Sequence, residues 1–452
     1  MREFEIQVQR AGAAEPDAPA GITIGSGEIV FTRLLRQGAN APEDQLLAPP
    51  GQLAFWLADN WWRLRWECAP SSGASSDWRL AHDLSAIGGH AWPRLAIWGE
   101  GDRIGLSSRS DPVGVVGPVR YTTDALTYVS AEAFEVAADS LLDTVSAEHA
   151  GFISDSAALR AQILALSEER ADPGVYAWRQ LEAQLGYDVD EAPEALMESL
   201  SGFQREFGAG AVAEAAMATQ GAETAAVLEA EIQAANDHHW QCDLQRTAAL
   251  VGKIEGDPGD PPWRLGEIAA AAVLKAVGHG GGALSHSALA DILNVRPKAL
   301  YSVQAVSPRE MAYGLRLNTG VRRGEIVALV SRWSADRRFE FTRALGDAIW
   351  SEGERLGPLT RAKSERQKFQ RAFAQSLLCP YEALVAYIGD DVSDGAIAAA
   401  AKHFLVSERL IRSVLVNKRV LNRERLLVLP RLRPANGFED STVEFDEVVE
   451  AA

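Results

Sequence analysis

Cysteine is scarce in this chain: three residues in 452, Cys68, Cys242 and Cys379, far apart and with no CxxC among them. That spacing argues against a disulfide framework and against cysteine-based metal sites, and it predicts a reduced, cytoplasmic setting. Long apolar runs are also missing. No stretch approaches the ~20 residues a membrane helix needs, so no membrane partner is expected. The opening residues MREFEIQVQR lack the apolar centre of a signal peptide. In the N-terminal half, no nucleophile stands at a defensible spacing from a base.

What is present is an ordinary globular composition, 47% hydrophobic and 23% charged, with enough length for two or three domains. The net charge of −18 is unevenly spread. Residues 261–452 carry 27 Lys/Arg against 22 Asp/Glu, whereas residues 1–260 carry 17 against 40. An acidic half keeps a protein soluble and repels nucleic acid, while the C-terminal part is free to approach it.

Along the chain, four regions are expected. Residues 1–125 read as a mixed, β-rich domain, from short runs such as Phe4 to Val8, Arg94 to Trp98 and Arg103 to Leu106 between Gly, Pro and Ser clusters. Seven of the twelve tryptophans lie between Trp56 and Trp98, most densely in the run that holds Trp61, Trp62, Arg63, Arg65 and Trp66. Trp and Arg together are what interfaces use as anchors; the plainer reading is an aromatic core with arginine on its rims. Residues 126–255 read as an acidic helical domain, rich in Ala, Glu and Leu at helical spacing. Its adjacent His238 and His239 would point to different sides of a helix and do not make a metal pair.

The Gly256–Pro262 stretch reads as a linker, and residues 263–435 as a third, mixed domain. Its His279-Gly280-Gly281-Gly282 reads as a turn between helices, because no Lys-Ser/Thr follows to complete a phosphate loop. Near its end, Asp394 to His403 and Glu408 to Val416 read as two helices with Ser407 as a cap, at helix-turn-helix spacing. Arg409, Arg412, Lys418 and Arg419 would then face phosphates and bases. An acidic tail, 436–452, closes the chain.

The segment Arg338-Phe339-Glu340-Phe341-Thr342-Arg343-Ala344-Leu345-Gly346-Asp347 has the frame of a metalloprotease helix, which needs two His at i and i+4 with a Glu after the first. It is followed by Gln370-Arg371-Ala372-Phe373-Ala374-Gln375-Ser376-Leu377-Leu378-Cys379-Pro380 and by Ala400-Ala401-Lys402-His403-Phe404-Leu405-Val406-Ser407. In order and spacing these three motifs resemble the ImmA/IrrE family of zinc metallopeptidases, over about residues 263–421. The resemblance implies a zincin-like C-terminal domain within a multidomain α+β protein, and a relation to enzymes that cut repressors of mobile elements or stress regulons.

The ligand positions depart from the family. The two His align with Arg343 and Asp347, the base with Ala344, and the acidic third ligand with about Phe369. None of these can hold zinc as a set, because a guanidinium stays protonated and Ala offers no donor. The expectation is a pseudo-peptidase with no metal and no cofactor, which binds a protein through the old groove at Arg343 and Asp347. Those two would form an exposed i, i+4 ion pair, with Phe341, Leu345 and Ile349 buried on the apolar stripe. The alternative is a DNA-binding regulator that uses the C-terminal helix pair.

Overall fold

The structure is a computed structural model that describes residues 4–9, 15–71, 73–114, 117–147, 153–252, 254, 256, 259–301, 311–320, 324–351 and 353–426. The acidic tail and the basic residues Arg431 and Arg433 lie outside the described residues. The chain is a mixed α+β protein of two compact units, one formed by residues up to 198 with 219–222, the other by 199–218 with 223 onward. Among the described residues no helix is long and apolar enough to cross a membrane.

In the first unit, Phe4–Gln9 (β1) pairs antiparallel with Ala20–Ser26 (β2), Phe4 opposite Ser26. A turn at Gly27, whose φ of 57° favours glycine, returns β2 to Ile29–Val30 (β3). Leu34–Arg36 (β4) and Leu46–Ala48 (β5) follow, β5 pairing with β2. Three helices come next: Pro50–Asp59 (α1), started by proline at its first position, Trp61–Trp66 (α2) and Ser76–His82 (α3). Leu95–Gly99 (β6), Arg103–Ser108 (β7), Val119–Tyr121 (β8) and Ala125–Ser130 (β9) complete the strands, in a β6-β7-β9 sheet and a β4-β8 ribbon.

Ser130 caps Ala131–Ser146 (α4), whose Phe134, Ala138, Leu141 and Val145 recur at helical spacing and are buried. Phe134 stacks on Phe4 at 6.2 Å, which ties α4 to β1 in the main core of this unit. Ser156–Ala171 (α5) and Pro173–Gln184 (α6) start from the caps Asp155 and Asp172. The boundary between the units falls within Glu194–Phe207 (α7).

The second unit opens with Ala209–Thr219 (α8), Thr224–Asp237 (α9), Trp240–Cys242 (β10) and Leu244–Val251 (α10). Pro262–Ala276 (α11), His286–Leu293 (α12) and Lys298–Tyr301 (α13) precede Gly314–Asn318 (β11) and Glu325–Ala328 (β12). Ser334–Trp350 (α14), Leu356–Leu359 (β13) and Glu365–Leu378 (α15) form its centre, and Tyr381–Ile388 (α16), Asp394–Phe404 (α17) and Glu408–Asn417 (α18) close it. The sheet is antiparallel throughout, in the order β10-β12-β11-β13.

Helices α11, α14 and α15 pack at short range because glycine stands at the crossings. A Cβ at Gly266 would come within 2.7 Å of the Phe369 carbonyl oxygen, and one at Gly346 within 2.9 Å of Phe373 Cδ1. The Gly of the Ala-Leu-Gly-Asp run is therefore a packing residue here. Phe341, Phe369 and Phe373 fill the core beside it, each contributing roughly 1.5–3 kcal/mol by burial.

The tryptophan-rich run lies on helices α1 and α2. Two sequence expectations change. Residues 126–255 do not form a domain of their own: α4–α6 belong to the first unit, and α8–α10 with β10 to the second. The second unit begins at 199 rather than after the linker, since β10 is a strand of its sheet.

Candidate functional site

Helix α14 carries Arg343 and Asp347 into the interior of the second unit, where they are 4% and 0% exposed. Phe341 and Leu345 are buried beside them as expected, whereas Ile349 is only half-buried, because the last turn of the helix reaches the surface. The expected exposed ion pair between Arg343 and Asp347 is replaced by a buried network. Asp347 Oδ1 accepts from Arg366 Nε at 2.7 Å and from Gln370 Nε2 at 2.7 Å, and Oδ2 accepts from Arg316 Nε at 2.8 Å. Arg343 donates instead to Thr360 O at 2.7 Å and to Gln367 Oε1 at 2.5 Å. Gln370 bridges the two: its Oε1 accepts from Arg343 at 3.3 Å while its amide nitrogen serves Asp347.

The network extends further through the second unit. Arg316, on β11, donates to Glu325 Oε1 at 3.1 Å and to Ser351 Oγ at 3.1 Å. Glu325, on β12, accepts from Leu244 N at 2.8 Å and Gln245 N at 3.0 Å, so it also neutralises the positive end of α10. Arg366, on α15, reaches Glu354 Oε2 at 2.6 Å and Leu356 O at 3.2 Å, and Glu354 Oε1 accepts from Gly210 N at 3.0 Å. Burial by itself would raise the Asp347 pKa, but Arg366 and Arg316 outweigh it and hold the carboxyl below the usual range. Glu214, on α8, accepts from Ser364 Oγ at 2.8 Å, and burial pushes its pKa up.

These residues do not fit a zinc ion. Both Asp347 oxygens are taken by guanidinium donors, Arg343 offers donors only, and Ala344 is apolar and buried. The third position is corrected as well: Phe369 stacks on Phe373 in the core at 6.2 Å, and the α15 residues that face Asp347 are Arg366 and Gln370. Strand β13 leaves no room, because a Cβ at Gly357 would lie 1.8 Å from Asp347 Oδ2. Among the described residues no group of three His, Cys, Asp or Glu is arranged to hold a metal. Glu354 and Glu365, near the motif in sequence, do not change this, and Glu352 lies outside the described residues.

The tryptophan–arginine run is interior too. Trp61, Trp62, Arg63 and Arg65 are buried and Trp66 is half-buried. Arg63 is held by Glu67 at 2.6 Å, Asp77 at 2.8 Å and Asp188 at 3.1 Å, and Arg65 by Glu135 at 2.7 Å. Trp62 donates to Glu169 at 2.8 Å, and the Arg65 guanidinium covers the Trp66 ring at 3.8 Å. They hold the first unit together rather than line a surface.

The C-terminal pair has the expected cap and spacing, with Leu405 in the left-handed turn at φ 54° where helix-turn-helix units favour glycine. Helix α18 has little free face, however: residues 410–415 are all buried. Arg412 is buried and bound to Asp394 at 3.1 Å, and Lys418 pairs with Glu267 at 2.7 Å. Arg409 and Arg419 are exposed.

No family model, curated protein or solved structure matches this chain.

A cleft of ≈ 590 Å³ opens in the second unit between α10, the end of α11 and α12. Leu250, Val277, Ala288 and Val295 line it together with the polar side chains of Arg246, Thr247, His279, Asp291 and Asn294. Leu250 and Val277 are 58% and 38% exposed. Sequence reasoning missed this cleft and missed Arg316, Arg366, Gln367 and Gln370. One signal was available: Arg316 interrupts an otherwise apolar strand, Gly314-Leu315-Arg316-Leu317, where a charge needs a buried partner.

Proposed function

We propose that this protein is a binding regulator built on a frame like that of the ImmA/IrrE peptidases, with the metal centre replaced by an ion-pair network. The observation that carries the reading is the coordination of Asp347: two guanidinium groups and one amide saturate the carboxylate at the motif position. A hydrolytic route through this position has no donor set for zinc and no general base. The polar network is closed, so the partner is not held by Arg343 and Asp347. It docks at the cleft between α10 and α12, where Leu250 and Val277 offer an apolar anchor beside Arg246 and Asp291. The partner's chemistry is that of a protein segment with aliphatic side chains. The burial of α18 and the pairing of Arg412 speak against groove-reading of DNA by this helix.

The test has two parts. Metal analysis of the purified chain should find far less than one zinc per molecule, and chelators should leave its melting temperature unchanged. Leu250→Asp and Val277→Asp should abolish association with a protein partner captured by the wild type, with circular dichroism unchanged. One zinc per chain, or association unaffected by both substitutions, would sink the reading.

A further inference from the structure

Arg338, a buried arginine of the second unit, lacks what Arg316 and Arg366 have. Arg316 and Arg366 lie on carboxylates at 2.6–3.1 Å. Arg338 is 0% exposed, and among the described residues no carboxylate pairs with it. Its Nη2 donates to Leu284 O at 2.7 Å, its Nη1 to His286 Nδ1 at 3.2 Å, and its Nε to nothing. Burial pushes its pKa down to about 10, which leaves it a cation at neutral pH. A lone charge in the interior is among the more costly arrangements a fold can hold.

Both groups that Arg338 touches stand at the start of α12. Leu284 precedes the N-cap Ser285, whose hydroxyl accepts from Ala288 N, and His286 is the first helical residue. The first-turn amides bring the positive end of the helix dipole to the same place. His286, which touches the guanidinium, is half-buried, with the exposed Tyr301 edge-on at 5.6 Å. Because Arg338 can only donate, His286 Nδ1 must accept, in the position an anionic oxygen would take.

We propose that Arg338, His286 and the first turn of α12 form a binding site for one oxyanion group, a phosphate or a carboxylate, with His286 holding the acceptor position in its absence. The guanidinium fork matches either anion in a bidentate contact, and a helix N-terminus adds amide donors. Entry of the anion requires the imidazole to swing toward Tyr301. The site is separate from the Asp347 network and does not depend on the binding function proposed above.

The test measures the melting temperature of the full chain against inorganic phosphate and, separately, acetate, at ionic strength fixed with sodium chloride. A rise of roughly 2–4 °C at several times the Kd is the scale expected for a unit of this size. Arg338→Met should abolish the response. His286→Asp places a carboxylate beside the guanidinium, and it should both raise the melting temperature without added anion and remove the response. If Arg338→Met does not fold, His286→Asp alone decides. A response to phosphate only, or to both anions, supports the site and fixes its chemistry. Absence of any wild-type response, or a response that survives His286→Asp, overturns it.

Discussion

Replacing Asp347 by alanine tests the central structural claim, because the two views of this residue predict very different costs. As half of an exposed ion pair, it would contribute at most ~1 kcal/mol. In the structure it is fully buried, and its removal strands the Arg316 and Arg366 guanidiniums without their shared counterion. Breaking a buried pair in this way costs about 3–5 kcal/mol, because the surviving charges stay desolvated. Domains have only about 5–15 kcal/mol in all, so the second unit would lose a large share of its stability. With roughly 2–4 °C per kcal/mol for a unit of this size, melting should fall by roughly 6–20 °C. A chain of two units need not unfold in one step, so hydrogen exchange at the β11 and β13 amides is the sharper assay. Those amides should lose protection in Asp347→Ala, while those of β6 and β7 keep theirs. A change within ~1 kcal/mol would show that the network is absent or solvated, and the account of the closed site would fail.

Three further outcomes are expected. Gly357→Ala should destabilise the second unit, since the added methyl meets Asp347 Oδ2 at 1.8 Å and the carboxylate cannot move without leaving Arg316; unchanged melting would contradict the geometry. Glu340 accepts from Val330 N at 3.0 Å, and burial raises its pKa from 4.5 to about 7. The folded chain thus keeps a proton between pH 4.5 and 7 that the unfolded chain has released, so stability falls as pH rises through that window. Glu340→Gln should flatten this slope and be the more stable form above pH 7, and equal slopes in the two proteins would refute the assignment. Arg63→Ala should destabilise the first unit through the loss of Glu67's buried partner, read as lost exchange protection in α2; an effect confined to partner binding would restore the surface reading of that run.

How far the sequence carried depended on what kind of signal each feature left. One cap was legible, Ser407 ahead of α18, since a cap acts through residues two or three along; Ser130, Asp172 and Ser285 cap helices in the same way without having been singled out. The α14 helix was legible from its motif frame and apolar stripe. The partners of Asp347 were not, because they are 19 to 31 residues away in sequence and are brought together only by the sheet and α15. Motif register placed Phe369 at the third ligand position, but helical phase turns Arg366 and Gln370 toward the site and Phe369 into the core. The tryptophan run misled in the opposite sense: residues suited to interfaces are equally suited to a buried cluster, and only burial separates the two uses.

The place of β10 bears on how the protein can be divided. Cleavage or truncation at the glycine–proline linker would leave the second half without Trp240–Cys242 and without the amides of Leu244 and Gln245. Strand β12 would then become a bare sheet margin, and Glu325 a carboxylate with two ligands fewer. Such a margin recruits strands from other molecules, so the fragment should self-associate into high-molecular-weight species. A fragment that begins at residue 199 carries its own strand and should stay monodisperse, which makes the choice of cutting point a test of where this unit begins.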